Sequence, residues 1–393
     1  MAAFGVFLLA YVLSQFFRSF LAVIAPELAN ELALSPADLG LVSGAWFAAF
    51  ALAQFPVGWA LDRIGPRRTV PVLMLAAAAG SALFASATAP WHCGLAMALI
   101  GLGCAPIYMG ALYMFARTMP PARFALLASW LLAIGTSGNL LATTPLALAE
   151  RAWGWRTTFQ AIALFCLASA MLIALVVRDP PRATAPGAQR GAFADLAAVA
   201  RTRALWPLFP LVLISYAIVA SERGLWIGPY LADVHGLDPV ARGNAALVMA
   251  IAMSVGAFVY GPLDQWLGTR KWVVVAGSVL TAAAFIALAT HHGASVATAT
   301  ALLALVGAAG STYGVLMAHG RQFIPEHLIG RGLTFLNFLF IGGISLMQGV
   351  SGRAVEQARA AGHAPAEIFA GLHMAFGLAL IAATLIYLAA RER

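Results

Sequence analysis

Runs of about twenty apolar residues recur along the whole 393-residue chain. A helix rises 1.5 Å per residue, so a run of about that length crosses a hydrocarbon core of about 30 Å. In lipid every backbone N–H and C=O must be satisfied by the spanning structure itself, which leaves helices or closed barrels. Barrel strands are shorter and alternate in polarity, and these runs do not alternate. Only 10% of the residues are charged and 62% are hydrophobic, against about 25% charged in ordinary soluble domains. The chain reads as an all-α integral membrane protein with twelve transmembrane helices. They are drawn over 4–29, 38–61, 69–88, 94–116, 124–148, 157–177, 205–232, 240–263, 272–290, 295–319, 333–352 and 368–389. The first run has no basic region before it and no small-residue cleavage site after it, so it reads as span 1 and not as a signal peptide.

Most connections are short. The exception is 178–203, a polar stretch rich in Pro, Ala and Arg between spans 6 and 7. It divides the chain into an N-terminal six-helix bundle (1–177), a central loop (178–203) and a C-terminal six-helix bundle (204–393). With both termini in the cytoplasm, sixteen of the 23 Lys and Arg residues fall on the cytoplasmic side and five on the other. That asymmetry predicts an inner (plasma) membrane protein of this orientation and accounts for the net charge of +8. No basic run with interleaved aromatics points to nucleic acid. Cys93, Cys104 and Cys166 lie in or near apolar segments without metal-ligand spacing, and read as packing residues. No phosphate-binding loop, metal cluster or nucleophile elbow is present, so neither an enzyme nor a cofactor is expected and energy must come from a gradient. A monomer is expected.

The two halves repeat each other. GWALDRIGPRR (58–68) follows span 2 and GPLDQWLGTRK (261–271) follows span 8. Asp62 and Asp264 are 202 residues apart; Gly65 and Gly268, Pro36 and Pro239, and Gly40 and Gly243 are each 203 apart. Ordered matches at nearly one offset indicate an internal duplication. The first copy resembles the loop 2–3 signature of the major facilitator superfamily, G-x-L-x-D-R-x-G-R-R in its usual form, with departures at Ala60 and Pro66. The resemblance extends over the twelve spans and the long central loop. It implies two pseudo-symmetric six-helix bundles around a central cavity, with alternating access. The residues of the loop also carry their own physics. Gly58 permits close helix approach, Asp62 at a helix end can pair with Arg63 or meet another helix's N-terminus, and Arg67 and Arg68 suit an anionic leaflet. One reading makes them a structural anchor. The family implies a charge latch between the halves, to which Gly58, Asp62, Arg63, Gly65, Arg67, Arg68 and Asp264 would contribute.

Two of the 23 basic residues remain deep inside spans: Arg18 and Arg223. A charge at a bilayer centre costs about 2.5–3.5 kcal/mol on insertion scales. The repeat relates them, because Arg18 and Arg223 are 205 residues apart and so are Tyr11 and Tyr216. Seven residues are nearly two helical turns, so Tyr and Arg are expected on one face, joined by Gln15 in span 1, with Trp226 one turn beyond Arg223. Two guanidinium forks favour an anion, and their planar geometry suits carboxylate or phosphate. The alternative is structural pairing with an internal carboxylate. Glu27 lies toward the outer end of span 1, and Glu222 is adjacent to Arg223 but directed elsewhere on a helix.

An Arg in span 1, the Pro26-Glu27-Leu28 ending and A-x-x-Q-x-P-x-G (Ala51, Gln54, Pro56, Gly58) resemble the anion-transporting branches of the superfamily. Arginines in both spans 1 and 7 resemble its organophosphate-transporting branch. Met97 stands where its drug:proton antiporters carry an Arg, and span 5 lacks their Gly-Pro dipeptide. Tyr108, Asn139 and Asn337 are further candidates for substrate contact, although each alone is more often a helix–helix hydrogen bond. Glu222 is the proton-coupling candidate, since an intramembrane carboxylate is a natural proton carrier. The expected function is secondary transport of a small organic anion, coupled to protons or to anion exchange. A polyspecific exporter and a transporter-like membrane receptor are the alternatives.

Overall fold

Proline starts many of the helices. Pro36, Pro66, Pro90, Pro239 and Pro365 each occupy the first position of a helix, where the missing N–H is not needed and φ is already helical. Ser35 adds a capping box, its hydroxyl accepting from the Asp38 N–H and the Asp38 carboxylate accepting from the Ser35 N–H. The computed structural model describes residues 2–179, 199–291, 295–324 and 329–392. Its helices are α1 (Ala2–Phe16), α2 (Leu21–Leu32), α3 (Pro36–Arg63), α4 (Pro66–Ala85), α5 (Pro90–Thr118), α6 (Pro121–Gly135), α7 (Ser137–Leu141) and α8 (Thr144–Val176). After the central segment come α9 (Phe209–Ser221), a π-helical turn (Glu222–Trp226), α10 (Ile227–Asp233), α11 (Pro239–Leu267), α12 (Lys271–Thr290), α13 (Val296–Ala309), α14 (Tyr313–Arg321), α15 (Ile329–Ala360) and α16 (Pro365–Tyr387). Most of the expected central loop, 180–198, lies outside the described residues.

Among the described residues, ten helices are long and apolar enough to cross a membrane, and the bent pair α1–α2 makes eleven. The twelfth is hidden in α8. Gly154, at φ 76°, breaks its helical backbone, so Trp155–Val176 is span 6 and the preceding piece completes span 5 with α6 and α7. Spans 1 and 5 are therefore broken, and span 10 is interrupted between Ala309 and Tyr313. Span 1 bends by 52° between Phe16 and Leu21, where Arg18, Ser19 and Ala22 bond to carbonyls only three residues back. A side chain inserted at a break is a recognised cause of such a bend, and here Ser19 donates to Asn139 of α7 at 2.9 Å. Pro26 removes a further backbone bond within α2.

Two compact units are present: Met1–Thr184 with Asp238–Asn244, and Ala185–Leu237 with Ala245–Arg393. Inside each, equivalent spans pack together. Span 1 packs on span 5 through α1, α6 and α7, as span 7 packs on span 11 through α9 and α15. Span 3 packs on span 6, as span 9 packs on span 12. The closest approaches repeat too. A Cβ on Gly138 would lie 2.0 Å from the Val12 carbonyl, and one on Gly343, 205 residues later, 2.0 Å from the Leu213 carbonyl. Only glycine permits either contact, because any side chain would drive the two helices apart.

Candidate functional site

In the first unit Arg18 sits within the break of span 1, not on a continuous helix. The face argument from Tyr11 to Arg18 therefore fails there: α1 ends at Phe16, two residues before the arginine. Tyr11 and Arg18 instead join different groups. The Tyr11 ring stacks on Tyr108 at 5.1 Å, and its hydroxyl accepts from Gln15 Nε2 at 3.2 Å. Arg18 faces α3, its guanidinium carbon 5.4 Å from the Trp46 ring centre and 5.0 Å from that of Phe50.

The carboxylate that offered Arg18 a structural partner is engaged elsewhere. Glu27 pairs with Arg242, which is buried in the same unit and not exposed in a loop. Among the described residues Arg18 has no ion pair, and both its buried Nε and the buried indole N–H of Trp46 lack an acceptor. Cation–π contact is worth about 0.5–2 kcal/mol at a site of this kind. Two such contacts offset part of the insertion penalty of about 2.5–3.5 kcal/mol and leave the donors unsatisfied. The arrangement can accept an anion. Trp46 was not singled out in the sequence, since a tryptophan in an apolar run reads as core.

The second unit repeats much of this. Arg223 is 7% exposed and lies in the π-helical turn, so both arginines occupy departures from regular helix at equivalent repeat positions. The Tyr216 ring lies 5.7 Å from Tyr313. Tyr313 is 205 residues beyond Tyr108, so the tyrosine pair of the first unit recurs complete. The repeat offset applied to Tyr108 would have found it. Asn337 accepts from the Tyr313 hydroxyl at 2.8 Å. Trp226, expected beside Arg223 as a ligand, is 1% exposed, and its indole donates to Ser351 at 2.8 Å. Its N–H is spent within the core of its own unit. Glu222 is buried beside His373, a residue without a repeat counterpart.

At the loop between α3 and α4 the expected roles shift. Asp62, Arg63, Arg67 and Arg68 are exposed, and Asp62 makes no ion pair with another described residue. Asp179, beyond α8, accepts instead from the Arg67 backbone N–H at 2.8 Å, in the first turn of α4. Gly65 is required there. Its φ is 97°, and a Cβ would lie 2.6 Å from the Asp179 carboxylate. Gly58 does not mediate the close helix approach expected of it: a Cβ would meet no heavy atom within 4 Å. The close contact on α3 is made at Trp46, whose carbonyl abuts Gly101. The side chain of Asp264 lies outside the described residues.

A family model described as the Major Facilitator Superfamily matches residues 7–347. The chain belongs to the Major Facilitator Superfamily. It is a multi-pass membrane protein of a transporter family. It is 26% identical over 323 residues to the gentisate transporter of Corynebacterium glutamicum, an alignment covering 79% of this chain and 71% of that one. It is also 26% identical over 266 residues to the probable sulfoacetate transporter SauU of Cupriavidus necator, covering 64% of this chain and 61% of the relative. The fold matches the crystal structure of a bacterial homolog to the human lysosomal transporter Spinster, inward-facing and occupied, with a TM-score of 0.78. That likeness is at 19% identity and covers 98% of this chain and 96% of the other.

Proposed function

We propose that this superfamily member is a secondary transporter of a small organic anion, with Arg18 and Arg223 as its anion ligands. The observation that carries the reading is the state of Arg18. A guanidinium without a carboxylate partner stands in a helix break, beside a buried indole N–H that also lacks an acceptor. An anion's oxygens would satisfy both donors and neutralise the charge. The tyrosine pairs Tyr11–Tyr108 and Tyr216–Tyr313, with Gln15, Asn139 and Asn337, would hold the flanking part of the substrate. The relatives named for gentisate and sulfoacetate favour a carboxylate on a small, rigid or doubly charged skeleton. Transport would use alternating access driven by proton coupling or anion exchange, with both termini cytoplasmic as the sixteen-to-five distribution of basic residues supports.

The test is uptake by proteoliposomes against a panel of gentisate, sulfoacetate, sugar acids, phosphate esters and lipophilic cations. Uptake of one or more anions that Arg18→Ala and Arg223→Ala abolish is the expected result. Unchanged transport by both variants would sink the ligand assignment. Movement of cations in place of anions would favour a polyspecific exporter, and binding without turnover a receptor.

A further inference from the structure

Arg18 and Arg223 both lie in irregular turns, and each turn is tied to the neighbouring span by a buried side-chain hydrogen bond. In the first unit Ser19, the residue after Arg18, donates its hydroxyl proton to Asn139 Oδ1 of α7 at 2.9 Å. In the second unit Trp226, which ends the π turn of Arg223, donates its indole N–H to Ser351 Oγ of α15 at 2.8 Å. The Ser351 hydroxyl gives its own proton to the Gln348 carbonyl at 3.2 Å, which leaves its oxygen to accept from Trp226. All four residues of the two bonds are buried. The helix pairs are equivalent, span 1 with span 5 and span 7 with span 11. Ahead of each arginine the same neighbouring span makes its glycine contact. A Cβ on Gly138 would lie 2.0 Å from the Val12 carbonyl and 2.9 Å from the Phe16 nitrogen, and Gly343 abuts the Leu213 carbonyl. Each arginine is thus held between a backbone contact before it and a hydrogen bond after it.

We infer that Ser19 and Trp226, held by Asn139 and Ser351, are positioning residues that set the turns of Arg18 and Arg223 in the geometry that binds the anion, a step that rests on the function proposed above. A regular helix regenerates its own geometry through bonds to the fourth residue back. The break of span 1 does not, since Arg18, Ser19 and Ala22 bond only three residues back, and the π turn closes instead over five. Contacts from outside must therefore choose the conformation of each turn, and with it the direction in which the arginine leaves the backbone. Without its hydrogen bond a turn populates other geometries. Binding must then select the competent one, and the apparent affinity falls by the competent fraction. The net worth of an ordinary hydrogen bond limits that loss to about 2–12-fold, less than the loss of a guanidinium ligand. Asn139 holds Ser19 through Oδ1, a different atom from the NH2 group that suits an anion. The two bonds use different side chains, so each can be removed alone.

The test combines gentisate and sulfoacetate uptake by the full-length protein in proteoliposomes with hydrogen–deuterium exchange of the substrate-free protein. Ser19→Ala and Ser351→Ala each remove one bond, and Ser19→Thr and Ser351→Thr keep the hydroxyl. Amides of 17–21 are expected to exchange faster in Ser19→Ala, and those of 222–227 in Ser351→Ala, with the remaining amides at wild-type rates. The half-saturating anion concentration should rise about 2–12-fold in either alanine variant, at a maximal rate near wild type, and the threonine variants should restore it. In an Arg18→Met background Ser19→Ala should change the half-saturating concentration no further, because the bond acts through the arginine. A full additional loss in that background overturns the inference, as do exchange and half-saturation unchanged in both alanine variants. So does a maximal rate that falls with the melting temperature while half-saturation holds, the signature of a bond that only stabilises the fold. Should one alanine variant not assemble in the membrane, the other decides, together with Trp226→Phe, which removes the indole donor. Normal transport by both Arg18→Ala and Arg223→Ala overturns the ligand reading and the positioning role with it. Locally faster exchange in the alanine variants then places the error in the ligand assignment and not in the bonds.

Discussion

Replacing Arg18 by Met separates a ligand from a structural arginine, because the two roles give effects of opposite sign. Methionine keeps an unbranched chain of similar reach and removes the charge. Without substrate, the arginine carries an insertion penalty of about 2.5–3.5 kcal/mol. The Trp46 and Phe50 contacts return about 1–2 kcal/mol together. Among the described residues no carboxylate adds to this, since Glu27 is paired with Arg242. The balance leaves Arg18 unfavourable by about 0.5–2.5 kcal/mol, so Arg18→Met should raise the melting temperature of the substrate-free protein. With substrate the sign reverses. Losing charge-assisted hydrogen bonds of about 1.5–3 kcal/mol lowers anion affinity by a factor of about 10–150. The assays are thermal unfolding in detergent without substrate and the concentration dependence of gentisate uptake in proteoliposomes. A variant that melts lower than wild type while its uptake is half-saturated at an unchanged concentration would refute the reasoning and make Arg18 a structural residue.

Gly343→Ala places a Cβ 2.0 Å from the Leu213 carbonyl, whereas one on neighbouring Gly342 meets nothing within 4 Å. The first should lose about 1–3 kcal/mol or more and the second should melt as wild type; equal melting temperatures would contradict the packing described. Asp179→Ala removes the acceptor of the Arg67 N–H at the start of α4 and should lower stability by about 1 kcal/mol, as loss of a helix cap does. Urea titration of the purified protein in detergent reads it. Burial holds the His235 imidazole below its ordinary value of 6.5, so its folded form favours the neutral ring. That stability is present above about pH 6.5 and is lost as pH falls toward the lowered value. Melting curves from pH 8 to 5 should therefore drop less steeply in His235→Asn than in wild type, and parallel slopes would count against it.

The span count was legible because apolar length is a direct requirement of the bilayer. The breaks were not, because residues 11–25 hold no proline or glycine to mark one. What bends span 1 is tertiary: Ser19 donates to Asn139, 120 residues away. The same limit undid the face argument from Tyr11 to Arg18, which presumes one continuous helix. Tyr313 was within reach, since the offset linking Tyr11 to Tyr216 also links Tyr108 to it. His373 was beyond that method, because Ala168 stands at the equivalent place in the first half. Asp179 was hidden for another reason. It meets α4 only after α8 has carried the chain back across the unit, and no local pattern encodes that return.

The irregular backbone at the two arginines has different forms. Phe17–Phe20 is a bend of tight turns, with bonds reaching three residues back, whereas Glu222–Trp226 is a widened turn, closed by the Ile227 N–H on the Glu222 carbonyl. Pro229 stands three residues beyond the second and cannot donate to the Leu225 carbonyl inside it, so a proline contributes to that distortion. What is common is the residue carried. A regular span satisfies all of its own backbone groups and offers a ligand only side chains, whereas π turns and broken spans concentrate at functional sites and expose backbone to a bound ion. Under the function proposed above, an anion beside each guanidinium would meet irregular backbone at Arg18 and at Arg223 alike, while the bend at Arg18 also has a cause in packing, the Ser19 bond to Asn139.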